Sequence, residues 1–294
     1  MTSSRSKEID YHIGIDGGGT RTRARLASAE GVVLGFGAAG PSALGQGIEQ
    51  AWRHIAQAVD LAFADAGLAP ASRECCALGL GLAGANVQQR CKDFFDRAPA
   101  FAEIALDTDA YTTLLGAHEG RPGAIVAAGT GSVGEALRRD GLRIAVGGWG
   151  FPVGDEGSGA WLGLRAMRET HRAIDGRAPV GPLVDMVLAS AGTSREALLG
   201  WCDRPGQNAY AELAPLVFDA AGTDPFAARL LDRAARSLEE IAAALDPEGA
   251  LPLAVCGSIG AQLLPRFAAS IRARCVDPAG DAADGALRLV RQAL

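Results

Sequence analysis

Tyr11-His12-Ile13-Gly14-Ile15-Asp16-Gly17-Gly18-Gly19-Thr20 is the stretch whose reading decides the fold. A short apolar run leads into a carboxylate, three consecutive glycines and a hydroxyl. The run predicts a buried strand that ends in a sharp turn. Three residues without Cβ atoms let backbone N–H groups approach a bulky anion closely. Thr20 adds a hydroxyl donor at the same turn. Asp16 cannot itself bind an anion, but it suits a hydrated Mg2+ held beside phosphates. Two readings stay open at this point. One is a site for a metal–nucleotide tail; the other is a glycine-rich hairpin turn whose backbone Asp16 helps to satisfy.

A second copy favours the first reading. Residues 124–128 form another apolar run, followed by Gly129-Thr130-Gly131-Ser132. After the first copy come an extended run over 22–28, a turn at Glu30-Gly31 and a further run over 32–36. After the second come 133–137, a turn at Asp140-Gly141 and 142–146. Both copies therefore predict strand, glycine/hydroxyl loop, strand, tight turn, strand. Two similar halves of this kind argue for a duplicated domain gripping one nucleotide.

The composition bounds the partners. The chain has 294 residues, 48% of them hydrophobic and 21% charged, enough for a sizeable core. Its net charge of −6 disfavours nucleic acid and anionic membranes. An acidic chain that binds polyphosphate must do so with backbone amides and metal, which the glycine loops would supply. Residues 1–10 are polar, without an apolar signal core, and no stretch approaches a membrane span, so the expected location is cytoplasmic. The six cysteines form no CxxC pair and no zinc-spaced cluster with histidine.

Along the chain, the spacing of Ile48, Trp52, Ile55, Val59 and Phe63 predicts a helix over 48–66. Strands are predicted over 75–81 and 101–106. The run Gly79-Leu80-Gly81-Leu82-Ala83-Gly84 is too rich in glycine to be simply core, and should face a ligand cleft or a packed helix. Asp107-Thr108-Asp109 caps a predicted helix over 110–118, and strand–helix alternation here implies parallel strands. Further helices are predicted over 160–174 and after Asp224-Pro225, a strand over 252–256, and a last helix opening at Asp284. No low-complexity linker separates the halves, which places the hinge near residues 119–122.

The ordered set Asp16-Gly17-Gly18-Gly19-Thr20, Thr108-Asp109-Ala110, Gly129-Thr130-Gly131-Ser132, Gly148-Trp149-Gly150, Gly154-Asp155-Glu156-Gly157 and Gly257-Ser258 resembles a known group. These are the amino-sugar kinases of the N-acetylglucosamine kinase and bacterial glucosamine kinase type, within the BadF/BadG/BcrA/BcrD ATPase family. The resemblance covers nearly the whole chain. Residues 107–131 look especially like the glucosamine kinases, and the stretch from Gly148 to Gly157 more like the N-acetylglucosamine kinases. It implies an α/β fold of two ribonuclease-H-like, actin-like ATPase domains with a nucleotide and sugar cleft between them. The corresponding division is 1–120 and 121–294, with the last helix, 284–294, free to pack back on the first domain.

The resemblance also implies ATP-dependent phosphorylation of the 6-hydroxyl of a small-molecule amino sugar, with Mg2+. Asp16 would hold the metal through water. Gly17, Gly18, Gly19 and Thr20, with Gly129, Thr130, Gly131 and Ser132, would hold the phosphates. Gly257 and Ser258 would lie near the adenosine, Asp109 would act as base on the sugar hydroxyl, and Gly148, Trp149, Gly150 and Asp155 would line the sugar pocket. Such kinases often carry Asn after the serine near residue 42, contacting sugar hydroxyls. This chain has Ala43 there, leaving Ser42 to substitute. The residues themselves are silent on assembly; a homodimer is common in such families.

Each residue also has a structural reading. Asp109 or Asp107 could simply cap a helix. Asp155 and Glu156 could favour a helix dipole. Trp149 could be core, and Ser158 a helix start. The four histidines show no pairing. A second function within the same ATPase family is an activator that couples ATP hydrolysis to electron transfer in a partner enzyme. Such activators need cysteines that hold an iron–sulfur cluster, and the scattered cysteines here offer no obvious ligand pair.

Overall fold

A computed structural model describes residues 9–203 and 206–294 of the chain; the polar run at 1–8 lies outside them. The described residues divide into two units. The first takes the chain through Pro122 together with Asp277–Leu294, and the second is Gly123–Val276.

The first unit is built on β1 (Tyr11–Gly17), β2 (Thr22–Ser28), β3 (Val33–Ala39), β4 (Cys76–Leu82) and β5 (Glu103–Asp107). Their order in the sheet is β3-β2-β1-β4-β5. The first three strands form an antiparallel meander, while β1, β4 and β5 run parallel. Alternation along the strands sorts the two faces. Ile13 and Ile15 of β1 and Leu78, Leu80 and Leu82 of β4 turn one way, into a core closed by α1 (Ile48–Asp65) through Trp52, Ile55, Val59 and Phe63. Burying each such aliphatic side chain contributes about 1.5–3 kcal/mol. A short helix, α2 (Gln88–Phe95), adds Phe94, stacked on Trp52 with ring centroids 4.1 Å apart.

The opposite face carries Gly14, Gly79 and Gly81. A Cβ at Gly14 or Gly79 would run into the carbonyl oxygens of Ala283 and Ala286 on the C-terminal helix (Ala282–Ala293), and one at Gly81 into Thr112 of α3 (Asp109–Ala117). The glycine run of β4 thus has a packed-helix explanation. Two helices lie against bare backbone, a close approach that glycine alone allows. The C-terminal helix is fixed by a capping box between Asp281 and Asp284, so it begins earlier than the sequence predicts.

The second unit repeats the scheme with β6 (Gly123–Ala128), β7 (Ser132–Leu137), β8 (Arg143–Gly147) and β9 (Leu253–Cys256), in the order β8-β7-β6-β9. Again three antiparallel strands are followed by a parallel one. Cys275 makes a parallel bridge to Leu253 in the fifth position. Between β8 and β9 run α4 (Gly159–Ile174), α5 (Pro182–Ala191), α6 (Arg195–Cys202), α7 (Gln207–Ala211), α8 (Ala214–Ala220) and α9 (Pro225–Leu245), and after β9 come α10 (Ser258–Leu263) and α11 (Ala269–Arg272). The core of this unit lies between α9, α4 and the sheet, with Leu238, Ala242 and Leu245 against the strands. No helix among the described residues is long and apolar enough to cross a membrane.

Candidate active site

Parallel strands end on the same edge of a sheet, so their loops meet there. In the first unit Asp16 pairs in register with Gly81, and Gly81 with Asp107. Two strand spacings, about 9–10 Å, separate the first carboxylate from the third strand end. Asp109 follows two residues on, in the first turn of α3. The fold therefore gathers Asp16, the first glycine loop and Asp109 at one edge.

The first loop is braced from behind. Gly18 N donates to Arg21 O at 3.0 Å, and the Ser42 and Ala43 amides both donate to Gly18 O at 3.1 Å. Ser42 is fully buried, and its Oγ accepts from the Thr22 hydroxyl at 2.7 Å. A Cβ on Gly17 would strike that same Oγ. Ser42 thus stands beneath the loop as a support. Gly18 differs: a Cβ added there meets nothing within 4 Å. Gly129 of the second loop behaves in the same way. Neither position has a positive φ. Neither packing nor a positive φ calls for glycine at these two positions, and the space beside each backbone is open.

Asp16 has a partner the sequence reading missed. Arg23 donates to Asp16 Oδ2 through Nε at 2.9 Å and Nη2 at 2.5 Å. The other arm of the guanidinium reaches Asp281 Oδ2 at 3.3 Å, and Arg25 pairs with both Asp281 and Asp284. A ladder of alternating charge thus joins Asp16 to the cap of the C-terminal helix. Burial alone would lower Arg23, but pairing with Asp16, helped by Asp281 and Asp284, raises it on balance. The signal was present in the hairpin: a turn closing at Gly17 and Thr22 puts residues 16 and 23 opposite one another.

The helix after β5 is capped by Thr108, whose Oγ1 accepts from Tyr111 N at 3.1 Å. Asp107 Oδ1 accepts from Thr108 N at 2.7 Å, and Asp109 Oδ1 from Ala110 N at 3.0 Å. The structural reading of Asp109 as the cap is thereby corrected. A threonine one residue earlier satisfies the orphan amide of the first turn.

In the second unit Ala127 pairs in register with Cys256, so the loops Gly129–Ser132 and Gly257–Ser258 leave the same edge. Gly257 has φ +82°, and a Cβ there would collide with Ala128 O. Gly148 and Gly150 also hold positive φ, and Gly148 N donates to Ser132 O at 3.2 Å. Trp149 is 85% exposed, which excludes the core reading. Ser158 caps α4 through Trp161 N. The helix start is tied to the second loop by Gly159 N to Gly129 O (2.8 Å) and Ala160 N to Thr130 O (3.1 Å).

Asp155 is buried, with φ +61°, and its carboxylate faces the second loop. Oδ1 accepts from Ser132 N at 3.2 Å and Oδ2 from Gln207 Nε2 at 2.5 Å. Gln207 was not singled out from the sequence, because it lies far along the chain in a segment without a motif. Burial pushes the Asp155 carboxyl above its usual value, against the Ser132 N–H that lowers it, with Glu156 adding to the rise. A carboxyl raised in the folded state loses stability as pH climbs through that raised value. Asp155→Asn keeps the left-handed backbone and an acceptor for Ser132, while Gln207 can turn its amide. The melting temperature of the variant relative to the wild type is expected to rise as pH increases from the ordinary carboxylate range through the raised value. A difference independent of pH would contradict this reading.

Comparison with known proteins adds the context. The BadF/BadG/BcrA/BcrD ATPase family matches residues 13–251. The chain is 36% identical over 280 residues to the glucosamine kinase GspK of Vibrio cholerae, covering 95% of each. It is 30% identical over 241 residues to the N-acetylmuramic acid/N-acetylglucosamine kinase of Clostridium acetobutylicum, covering 78% of this chain and 77% of that one. Among solved structures, one from Chromobacterium violaceum, provisionally described as an N-acetylglucosamine kinase, is 48% identical. It superposes with a TM-score of 0.94 over 97% of this chain and all of the other.

Proposed function

The chain belongs to the BadF/BadG/BcrA/BcrD ATPase family, and we propose that it transfers the γ-phosphoryl group of ATP to the 6-hydroxyl of glucosamine or N-acetylglucosamine. It is a carbohydrate kinase with the two-domain actin-like ATPase fold. The observation that carries the finer reading is the register Asp16–Gly81–Asp107, which sets a carboxylate, a glycine loop and Asp109 on one strand-end edge. In open α/β sheets, ligands bind outside the carboxyl ends of the strands.

In this reading the loops Gly17–Gly19 and Gly129–Ser132 hold the phosphates through amides other than Gly18 N, Gly129 N and Ser132 N, which bond Arg21 O, Gly131 O and Asp155 Oδ1, and Thr20 and Thr130 lend hydroxyls. Gly257 and Ser258 flank the nucleoside, and Gly148–Gly150 line the sugar. Asp155 and Ser42 support the two loops from behind, which gives both a positioning role. The donor set around Asp16 fits Mg2+: a single carboxylate suits an ion that keeps several waters and takes its other ligands from phosphate oxygens. Bound there, the ion would neutralise charge developing on the transferred group. Arg23 fixes the Asp16 carboxylate in place. Asp109 accepts the proton of the attacking hydroxyl.

Correlation of phosphorus to the C6 protons of the product by nuclear magnetic resonance tests the regiochemistry. Phosphorylation at another carbon would overturn it. Ala43 bears on selectivity, since it provides no side-chain amide for a sugar hydroxyl. Ala43→Asn is expected to change the sugar KM several-fold, as a hydrogen bond worth about 1 kcal/mol is gained or misplaced, and to leave the ATP KM alone. Equal effects on both constants would remove Ala43 from the pocket.

A further inference from the structure

The second unit holds a basic groove that phosphoryl transfer does not use. Arg165 and Arg168 of α4 and Arg229 and Arg233 of α9 line it, with Phe226 and Leu230 as its apolar wall and a volume of about 460 Å³. Positions three and four apart on a helix share a face, so each helix presents two guanidinium groups to the same space. The chain as a whole is acidic, which makes this concentration of cations the more notable. Glu169, the remaining charged wall residue, is paired at 3.5 Å with Arg172 on its own helix.

Among the described residues none of the four arginines has a carboxylate partner, whereas Arg23, Arg25, Arg143 and Arg274 are all paired. Arg165 is half-buried, its guanidinium 3.5 Å from the centroid of the buried Trp161 ring, with Arg233 at 5.8 Å from the same ring. Nη1 of Arg165 donates to Trp161 O, at 3.3 Å. Burial, and then the like charges of Arg233 and Arg168, push Arg165 down to about 10, against a smaller upward pull from Glu156. A cluster of cations that repel one another over an aromatic floor is short of an anion. The planar guanidinium fork matches phosphate in particular, and the volume falls in the range of small-molecule sites.

We propose that this groove binds a phosphate-bearing small molecule, with guanidinium groups from both helices on the phosphate and its ring against Phe226 and Leu230. Two sources share that chemistry: a phosphorylated sugar and a nucleotide. The groove lies on α4, whose first residues bond to the second glycine loop. Arg165 follows about 9 Å along the axis from Gly159.

Calorimetric titration with pyrophosphate tests the site, using enzyme saturated with Mg2+, amino sugar and a non-hydrolysable ATP analogue. One further binding event is expected. The pair of exposed substitutions Arg229→Glu and Arg233→Glu should weaken it about ten- to a hundred-fold, as charge-assisted bonds are lost. Binding of the ATP analogue should stay unchanged. Arg168→Gln, a single change at an exposed position, should weaken it in the same direction should the double variant not fold. Competition by glucosamine phosphate and by ADP then identifies the source. Absence of a further site, affinity undiminished in the variants, or displacement by neither competitor would overturn the proposal.

Discussion

Asp109→Asn is expected to lower kcat by about 10²–10⁴-fold, the usual worth of general-base assistance, with a small effect on sugar KM and no change in melting temperature. A sugar hydroxyl is a very weak acid and needs an acceptor as it attacks. The asparagine keeps the size of the side chain and still hydrogen-bonds the hydroxyl, but it cannot take the proton. Stability should hold because the helix is capped by Thr108, with Asp107 bonded in turn to the Thr108 amide. The bond from Ala110 N to Asp109 Oδ1 survives with an amide oxygen as acceptor. The complementary substitution Thr108→Ala should cost about 1 kcal/mol of stability, as loss of a cap does. Near-full kcat in the Asp109 variant would remove it from the chemistry and send the search for a base to Asp107.

Asp16→Asn is expected to weaken Mg2+ activation by about 10–100-fold, the scale of losing a group that orders a metal's surroundings, and to take most of the turnover with it. The variant should fold. Its lost partner is Arg23, whose side chain is 36% exposed and remains within reach of Asp281, so the stability cost is that of a solvent-screened pair, about 0–1 kcal/mol. Sugar binding, measured without nucleotide, should be unaffected. Titration with Mn2+ followed by electron paramagnetic resonance reads metal affinity apart from catalysis. Unaltered affinity there would take Asp16 out of the metal site.

Much of this was legible because it rests on local chemistry. The strand, glycine loop and hairpin of each half follow from apolar runs bounded by turn residues, and the sheets repeat that order strand for strand. The helix over 48–65 follows from its apolar spacing. What escaped was non-local. Arg23 looked like one polar residue on a strand until the hairpin register set it against Asp16. Gln207 meets Asp155 from 52 residues away. The glycine run of β4 was legible as facing a cleft or a packed helix, and only the fold shows that Gly79 meets the C-terminal helix and Gly81 meets α3. Ser42 illustrates a different difficulty. A serine in a loop suggests a ligand contact, and here its buried hydroxyl also accepts from Thr22 beneath the loop. The arginines of α4 and α9 read as two solvated helix faces until the packing of those helices brings them to one groove.

The central claim is that this chain phosphorylates an amino sugar. Coupled-assay turnover of ATP by the purified protein, with Mg2+, against glucosamine, N-acetylglucosamine, glucose, mannose and no sugar, tests it most directly. The account predicts ADP formation that depends on glucosamine or N-acetylglucosamine and is lost in Asp109→Asn. ADP released at the same rate with or without sugar, as an ATPase activator of a redox partner would give, or turnover confined to the neutral hexoses, would contradict it.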